Sequence, residues 1–229
     1  MHGDVVEISM FDRSYRIINP GAGRVGSKLA HGEPYERRLL VDCYQQGLTG
    51  TAFDVGAHIG NHTLFLAAVC GFRVHAWEPF ETSRQMLVDN LALNPDLDVT
   101  VHDWAAGAAE GRGRFTTGMW IEFDPTRDGA QIKLDRGDIR VHRIDDHVDV
   151  PDLAVMKIDV EGMEPHVIAG AIGHIERSRP VIYAETHTPA AHTAVAELLE
   201  PLGYQMTRAI HMGSTMERWE ADRPHRGAR

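Results

Sequence analysis

Between Thr51 and Glu185, short apolar segments alternate with longer helical ones, and this rhythm restricts the fold more than any other feature of the chain. Residues 51–55, 73–77, 99–103, 154–159 and 180–185 read as strands, the first three short, bounded and partly β-branched. Residues 61–70, 83–93, 164–177 and 189–201 between them read as helices. Such alternation calls for right-handed crossovers, hence an α/β fold whose parallel sheet carries helices on both faces. Residues 107–147 interrupt the pattern with Gly, Asp and Arg, leaving room for one extra strand at 139–143. Residues 204–210 and 215–219 are short enough to form a hairpin that adds antiparallel strands.

Ahead of this region, residues 5–8 and 15–18 read as two strands around the turn Phe11-Asp12-Arg13-Ser14. A glycine-rich loop follows at 19–32, longer than most connections and therefore read as a lid-like segment. Residues 33–46 read as a helix with Pro34 in its first turn and Gly47 at its stop. The expected divisions are 1–32, 33–222 and a basic tail at 223–229. A length of 229 residues suits one large domain, and 43% hydrophobic with 24% charged residues is an ordinary globular balance. No apolar run nears the roughly 20 residues that cross a bilayer, and the first residues lack a signal-peptide pattern. Two cysteines, Cys43 and Cys70, make no disulfide framework, so a cytoplasmic location and no membrane partner are expected. A net charge of −10 speaks against a nucleic-acid partner held through its phosphates. Oligomeric state is not encoded in any pattern found.

The first chemistry-bearing segment is Asp54-Val55-Gly56-Ala57-His58-Ile59-Gly60-Asn61, placed where a strand becomes a helix. α/β folds bind ligands at such turns. Gly56 and Gly60 permit a tight turn with free N–H groups at the helix start. The spacing Asp-x-Gly-x-x-x-Gly differs from the Gly-x-Gly-x-x-Gly of dinucleotide sites, and an acid before the turn suits a cationic ligand group. Glu78 and Pro79 end the second strand, where an acid can accept hydrogen bonds from both hydroxyls of a ribose. Asp103 and Trp104 end the third, as an adenine contact and a flat apolar wall.

The second segment, Lys157-Ile158-Asp159-Val160-Glu161-Gly162, alternates charged and apolar residues out of a buried strand. Lys157 and Asp159 share one strand face. Glu185 and His187 close the fifth strand on the same rim. His58 and His62 have the i, i+4 spacing of a metal pair but no third ligand at diagnostic distance. Asp159, Glu161 and His187 form a second candidate set, for Mg²⁺. No metal site is assigned from either.

The set Asp54-Val55-Gly56-Ala57-x-Ile59-Gly60, Trp77-Glu78-Pro79, Asp89-Asn90-Leu91-x-Leu93-Asn94, Lys157-Ile158-Asp159-Val160-Glu161-Gly162-x-Glu164 and Glu185 resembles the FkbM family of S-adenosylmethionine-dependent methyltransferases. The match runs over residues 33–187, and the Lys-Ile-Asp-Val-Glu-Gly-x-Glu block is its most specific mark. His58 stands where an Asn is usual, and Asn61-His62 where aromatics are common. The resemblance implies a class I methyltransferase (Rossmann-like), mostly parallel seven-stranded sheet. It also implies S-adenosylmethionine as cofactor and O-methylation of a hydroxyl on a small molecule, sugar or natural product. Asp54, Gly56, Ala57, His58, Gly60, Asn61, Glu78, Pro79, Asp103, Trp104 and Asp159 are the expected cofactor contacts. His187 and Asp159 are the candidate proton acceptors, with Glu161 and Lys157 orienting them. A nicotinamide-dependent oxidoreductase and a non-catalytic cofactor-binding protein are the rival readings. A nucleic-acid amino-methyltransferase would show Asn/Asp-Pro-Pro-aromatic where Lys157-Ile158-Asp159-Val160 stands.

Overall fold

A computed structural model describes residues 3–117, 130–134, 137–212 and 215–222. The expected basic tail at 223–229 lies outside the described residues. In chain order the elements are β1 (Val5–Met10), β2 (Arg13–Ile18), α1 (Gly23–Leu29), α2 (Arg37–Gln45), β3 (Thr51–Val55), α3 (Asn61–Ala68), β4 (Arg73–Trp77), α4 (Glu81–Ala92) and β5 (Val99–His102). Next come β6 (Ala105–Ala106), β7 (Gly111–Thr117), β8 (Ala130–Leu134), β9 (Ile139–His142), α5 (Ile144–His147) and β10 (Leu153–Ile158). The chain closes with α6 (Glu164–Gly170), α7 (Ile172–Ser178), β11 (Val181–Thr186), α8 (Pro189–Leu199), β12 (Tyr204–His211) and β13 (Thr215–Ala221).

Seven strands form the main sheet in the order β12-β13-β11-β10-β3-β4-β5. The five from β11 to β5 are parallel, and β12 and β13 add the antiparallel end. The chain runs outward from β3 to β5 and returns to place β10 on the other side of β3. That reversal makes the carboxyl ends of β3 and β10 the switch point, where α/β sheets open a ligand crevice.

Both sheet faces are buried, and side-chain alternation sorts the strand residues between them. Phe53, Val55, Trp77, Met156, Ile158, Ile182 and Ala184 face one core with Val167, Ile175 and Val195. Ala52, Val74, Ala76, Val155, Val181 and Tyr183 face the other, against Leu39, Cys43, Leu66 and Leu87. The helix α3 is buried nearly all round because a third cluster covers its outer side. There Leu64 and Phe65 meet Ile8, Tyr15 and Ile17 of the β1–β2 hairpin.

Four local expectations are corrected. Residues 19–32 are not a loop throughout: α1 forms within them and buries Val25 and Leu29 against the hairpin cluster. The helix expected from residue 33 begins only at Arg37, because Glu36 adopts φ +54° while its carboxylate meets His62 at 3.2 Å. The helix expected over 164–177 is two helices. Asp145 accepts the amides of Gly173 and His174 at 2.8 and 3.1 Å, fixing a new start after Ala171. Residues 105–142 hold a second, four-stranded sheet, β6-β9-β7-β8, in place of a single extra strand.

Candidate active site

The loop leaving β3 is fixed by two glycines. Gly56 has φ +83°, and a Cβ there would lie 1.8 Å from the Asp159 carbonyl oxygen. Gly60 has φ +91°, and a Cβ there would meet Leu87 Cδ1 at 2.5 Å. Only glycine lets β3 and β10 approach so closely at the switch point. The expected free N–H groups are largely spent: Gly56 and Ala57 donate to the Trp77 carbonyl, and Gly60 donates to the Ala57 carbonyl. The His58 amide donates to Glu78 Oε2 at 2.8 Å.

Glu78 is the hinge of this loop. Its Oε1 accepts the Phe80 amide at 2.8 Å, so both carboxylate oxygens already hold one backbone donor. Each keeps acceptor capacity for a further hydroxyl. Burial pushes the carboxyl up to about 7, against the pull of the two amides and of Lys157. Arg84 donates to the carbonyls of Glu78 and Pro79, which holds the turn after β4.

Beneath the loop is a buried ion chain. Lys157 Nζ lies 3.1 Å from Asp54 Oδ1 and 3.5 Å from Asp159 Oδ2, and donates to the Gly56 carbonyl at 2.8 Å. Burial disfavours the ammonium, but Asp54 and Asp159 outweigh it and hold Lys157 above the ordinary lysine range. Burial likewise works against the Asp159 carboxylate. Lys157, a hydrogen bond with Glu185 and the nearby His62 bring it below its usual value. Thr63 Oγ1 donates to Asp54 Oδ2 at 2.6 Å. Lys157 therefore ties β3 to β10 and remains charged. Of the two acceptor candidates it was expected to orient, His187 and Asp159, it lies against Asp159.

On the rim, His187 is 42% exposed, and its Nε2 lies 3.3 Å from Glu161 Oε2 and 3.0 Å from Glu185 Oε2. Asp159, the other candidate acceptor, faces Lys157 and Glu185. Glu161 reaches the ring from a left-handed backbone, φ +55°, followed by Gly162 at φ +99°. The ligand atoms of Glu161, Glu185 and His187 lie within 4.8 Å of one another, close enough to share a cation. The Mg²⁺ set weighed from sequence thus exchanges Asp159 for Glu185.

Three of the expected cofactor contacts already hold protein partners. The Asn61 side chain brackets the Tyr35 backbone, accepting its amide at 3.0 Å and donating to its carbonyl at 3.1 Å. Trp104 is buried edge-to-face against Trp77 at 5.7 Å, part of the core and not an exposed wall. Asp103 is half exposed, and both its oxygens lie 2.7 Å from Arg140. Thr63, bonded to Asp54 across the loop after β3, and the buried Glu36–His62 pair, 26 residues apart, carry no signal in the sequence. Sequence reasoning also gave no role to the asparagines of the Asp89–Asn94 block. Asn90 accepts the Ile18 amide at 2.7 Å and donates to the Ile59 carbonyl at 2.8 Å. Asn94 pairs both ways with the Arg16 backbone, so the block anchors the N-terminal hairpin.

A switch-point crevice with a strand-end acid after β4 and an acid–glycine turn after β3 defines a class I, Rossmann-like methyltransferase fold. The methyltransferase FkbM domain matches residues 54–206, and the chain belongs to that family. A methyltransferase FkbM from Methylobacillus flagellatus is 24% identical, with a TM-score of 0.53 over 75% of this chain. The matched part is 44% of that protein's length. A precorrin-6y C5,15-methyltransferase from Geobacter metallireducens is 17% identical, with a TM-score of 0.53 over 87% of this chain and 93% of that one. A 16S rRNA N2 methyltransferase from T. thermophilus, in complex with AdoMet and guanosine, is 14% identical, with a TM-score of 0.54 over 97% of this chain and 51% of that one. No curated protein matches the sequence.

Proposed function

We propose that this methyltransferase methylates a hydroxyl oxygen of a small molecule, sugar or natural product. S-adenosylmethionine is the cofactor, and it supplies an electrophilic methyl group when bound. Glu78 fits its ribose, being a buried carboxylate with acceptor capacity to spare on both oxygens. The Gly56–Gly60 turn fits close approach of the ligand to backbone, and Asp54 and Asp159 give the crevice the negative charge that suits a cationic donor. His58, whose amide holds Glu78, and Pro79, whose carbonyl is held by Arg84, lie at the same strand ends.

The observation that carries the oxygen reading is the His187 imidazole. Its Nε2 faces two carboxylates, so that nitrogen carries the proton and Nδ1 is the acceptor. A hydroxyl must lose its proton as its oxygen takes a methyl group, and an imidazole steadied by carboxylates can accept it. Glu161 and Glu185 orient the ring and stabilise the imidazolium. The net charge of −10 supports a small acceptor over a nucleic acid. Two unpaired cysteines support a cytoplasmic setting, and among the described residues no helix is long and apolar enough to cross a membrane.

The test compares metabolite extracts incubated with S-adenosylmethionine and either wild-type protein or His187→Ala. A product heavier by one CH₂, formed by the wild type and on the order of 10²-fold more slowly by the variant, is expected. Methylation on nitrogen or carbon, or a variant as fast as wild type, would refute the reading.

A further inference from the structure

A second cluster lies outside the crevice, on the inserted four-stranded sheet. Glu110 precedes β7, His142 ends β9 and His147 ends α5. His142 Nδ1 lies 2.5 Å from Glu110 Oε2, and His147 Nε2 lies 3.1 Å from Glu110 Oε1. One ligand atom from each residue can be chosen so that all lie within 4.8 Å of one another. The ring centroids are 4.4 Å apart and tilted by 49°, and each ring turns one nitrogen toward Glu110. Buried Trp104 packs against both rings, at 5.4 and 5.7 Å, and limits how far either can swing.

We propose that Glu110, His142 and His147 bind a zinc-class divalent cation. Two imidazole nitrogens and one carboxylate suit zinc, whereas magnesium and calcium favour oxygen alone. Zinc–nitrogen bonds of about 2.0–2.1 Å place the ligand atoms of a tetrahedral ion roughly 3.3 Å apart. The two nitrogen–oxygen separations above, one to each oxygen of Glu110, are shorter than that spacing, so the side chains need only open slightly around an ion. Glu110 and His147 are about half exposed, which leaves a side open for water as fourth ligand. The three residues belong to the turn before β7, to β9 and to α5. The cation therefore clamps the inserted sheet to α5 through residues that form a cluster separate from that of Glu161, Glu185 and His187.

The test uses untagged, chelator-stripped full-length protein carrying His187→Ala, so that the rim cluster of Glu161, Glu185 and His187 cannot contribute. Calorimetry with zinc chloride is expected to show one equivalent bound, unaffected by millimolar Mg²⁺. Cobalt(II) in its place should give the strong visible absorption of a four-coordinate site. Adding His142→Ala, or separately Glu110→Gln at its exposed position, should weaken zinc binding by about 100-fold or more. Absence of zinc binding, octahedral cobalt spectra, or unchanged affinity in both added variants would overturn the proposal. Zinc affinity present in wild type but lost in His187→Ala alone would also overturn it, by assigning the ion to the rim.

Discussion

At the scale of single residues, two buried charges set the behaviour of the crevice. Glu78 is pushed up to about 7 from an ordinary 4.5, so the folded chain holds this proton more tightly than the unfolded one. Its contribution makes the ligand-free protein less stable as pH rises from about 4.5 to about 7. Ligand binding runs the other way, since ribose hydroxyls donate to the ionised carboxylate. Affinity for S-adenosylhomocysteine is expected to fall as pH drops below about 7, and Glu78→Gln should flatten that profile while weakening binding. Calorimetry across pH 5.5–8.5 checks it, and a flat wild-type profile would count against the ribose role. Lys157 behaves differently, because its one positive charge offsets the fully buried Asp54 and leaves a net negative charge shared with Asp159. Lys157→Met should cost about 3–5 kcal/mol of stability, the scale for leaving buried charge uncompensated. Urea unfolding measures this, and a loss below about 1 kcal/mol would show the chain of charges to be solvated.

At the scale of elements, the parallel strands were legible because a strand buried on both faces is written as a short apolar run, whereas their order in the sheet was not. The Gly56 and Gly60 turn was legible as well, since close backbone approach leaves a glycine in the sequence. What was not legible depends on partners distant in the chain. Asp145 starts α7 from 28 residues away, and Asn90 joins β2, α4 and the loop after β3. α1 was hidden by its glycines, because Val25 and Leu29 gain their helical setting from the hairpin they pack on. Asn90→Ala should strand a buried amide and a buried carbonyl, costing about 2–4 kcal/mol by the penalty for unsatisfied backbone groups. Hydrogen exchange at Ile18 should accelerate more than exchange in β10. Uniform acceleration throughout the chain would show that the hairpin is not tied down separately.

At the scale of the whole molecule, the sheet reversal at β3 and β10 gathers on one edge what the sequence spreads over more than 130 residues, from Asp54 to His187. The same placement explains why the strand-end motifs were informative and the acceptor side was less so. Motif residues next to β3 and β4 act through local backbone, whereas the partners of His187 come from two different strand ends. The surroundings of Trp104 and Asn61 were hidden for a related reason: residue type pointed to a ligand, and nothing local in the sequence showed the core around Trp104 or the Tyr35 backbone beside Asn61. The Glu78 crevice serves, on this reading, as a nucleoside site for a sulfonium donor. Isothermal titration of the wild-type protein with S-adenosylhomocysteine, NADH and NADPH at pH 8 tests this most directly. The account predicts saturable S-adenosylhomocysteine binding, weakened by about 1.5–3 kcal/mol in Glu78→Ala, and no comparable binding of either dinucleotide. Dinucleotide binding without any response to S-adenosylhomocysteine would contradict it.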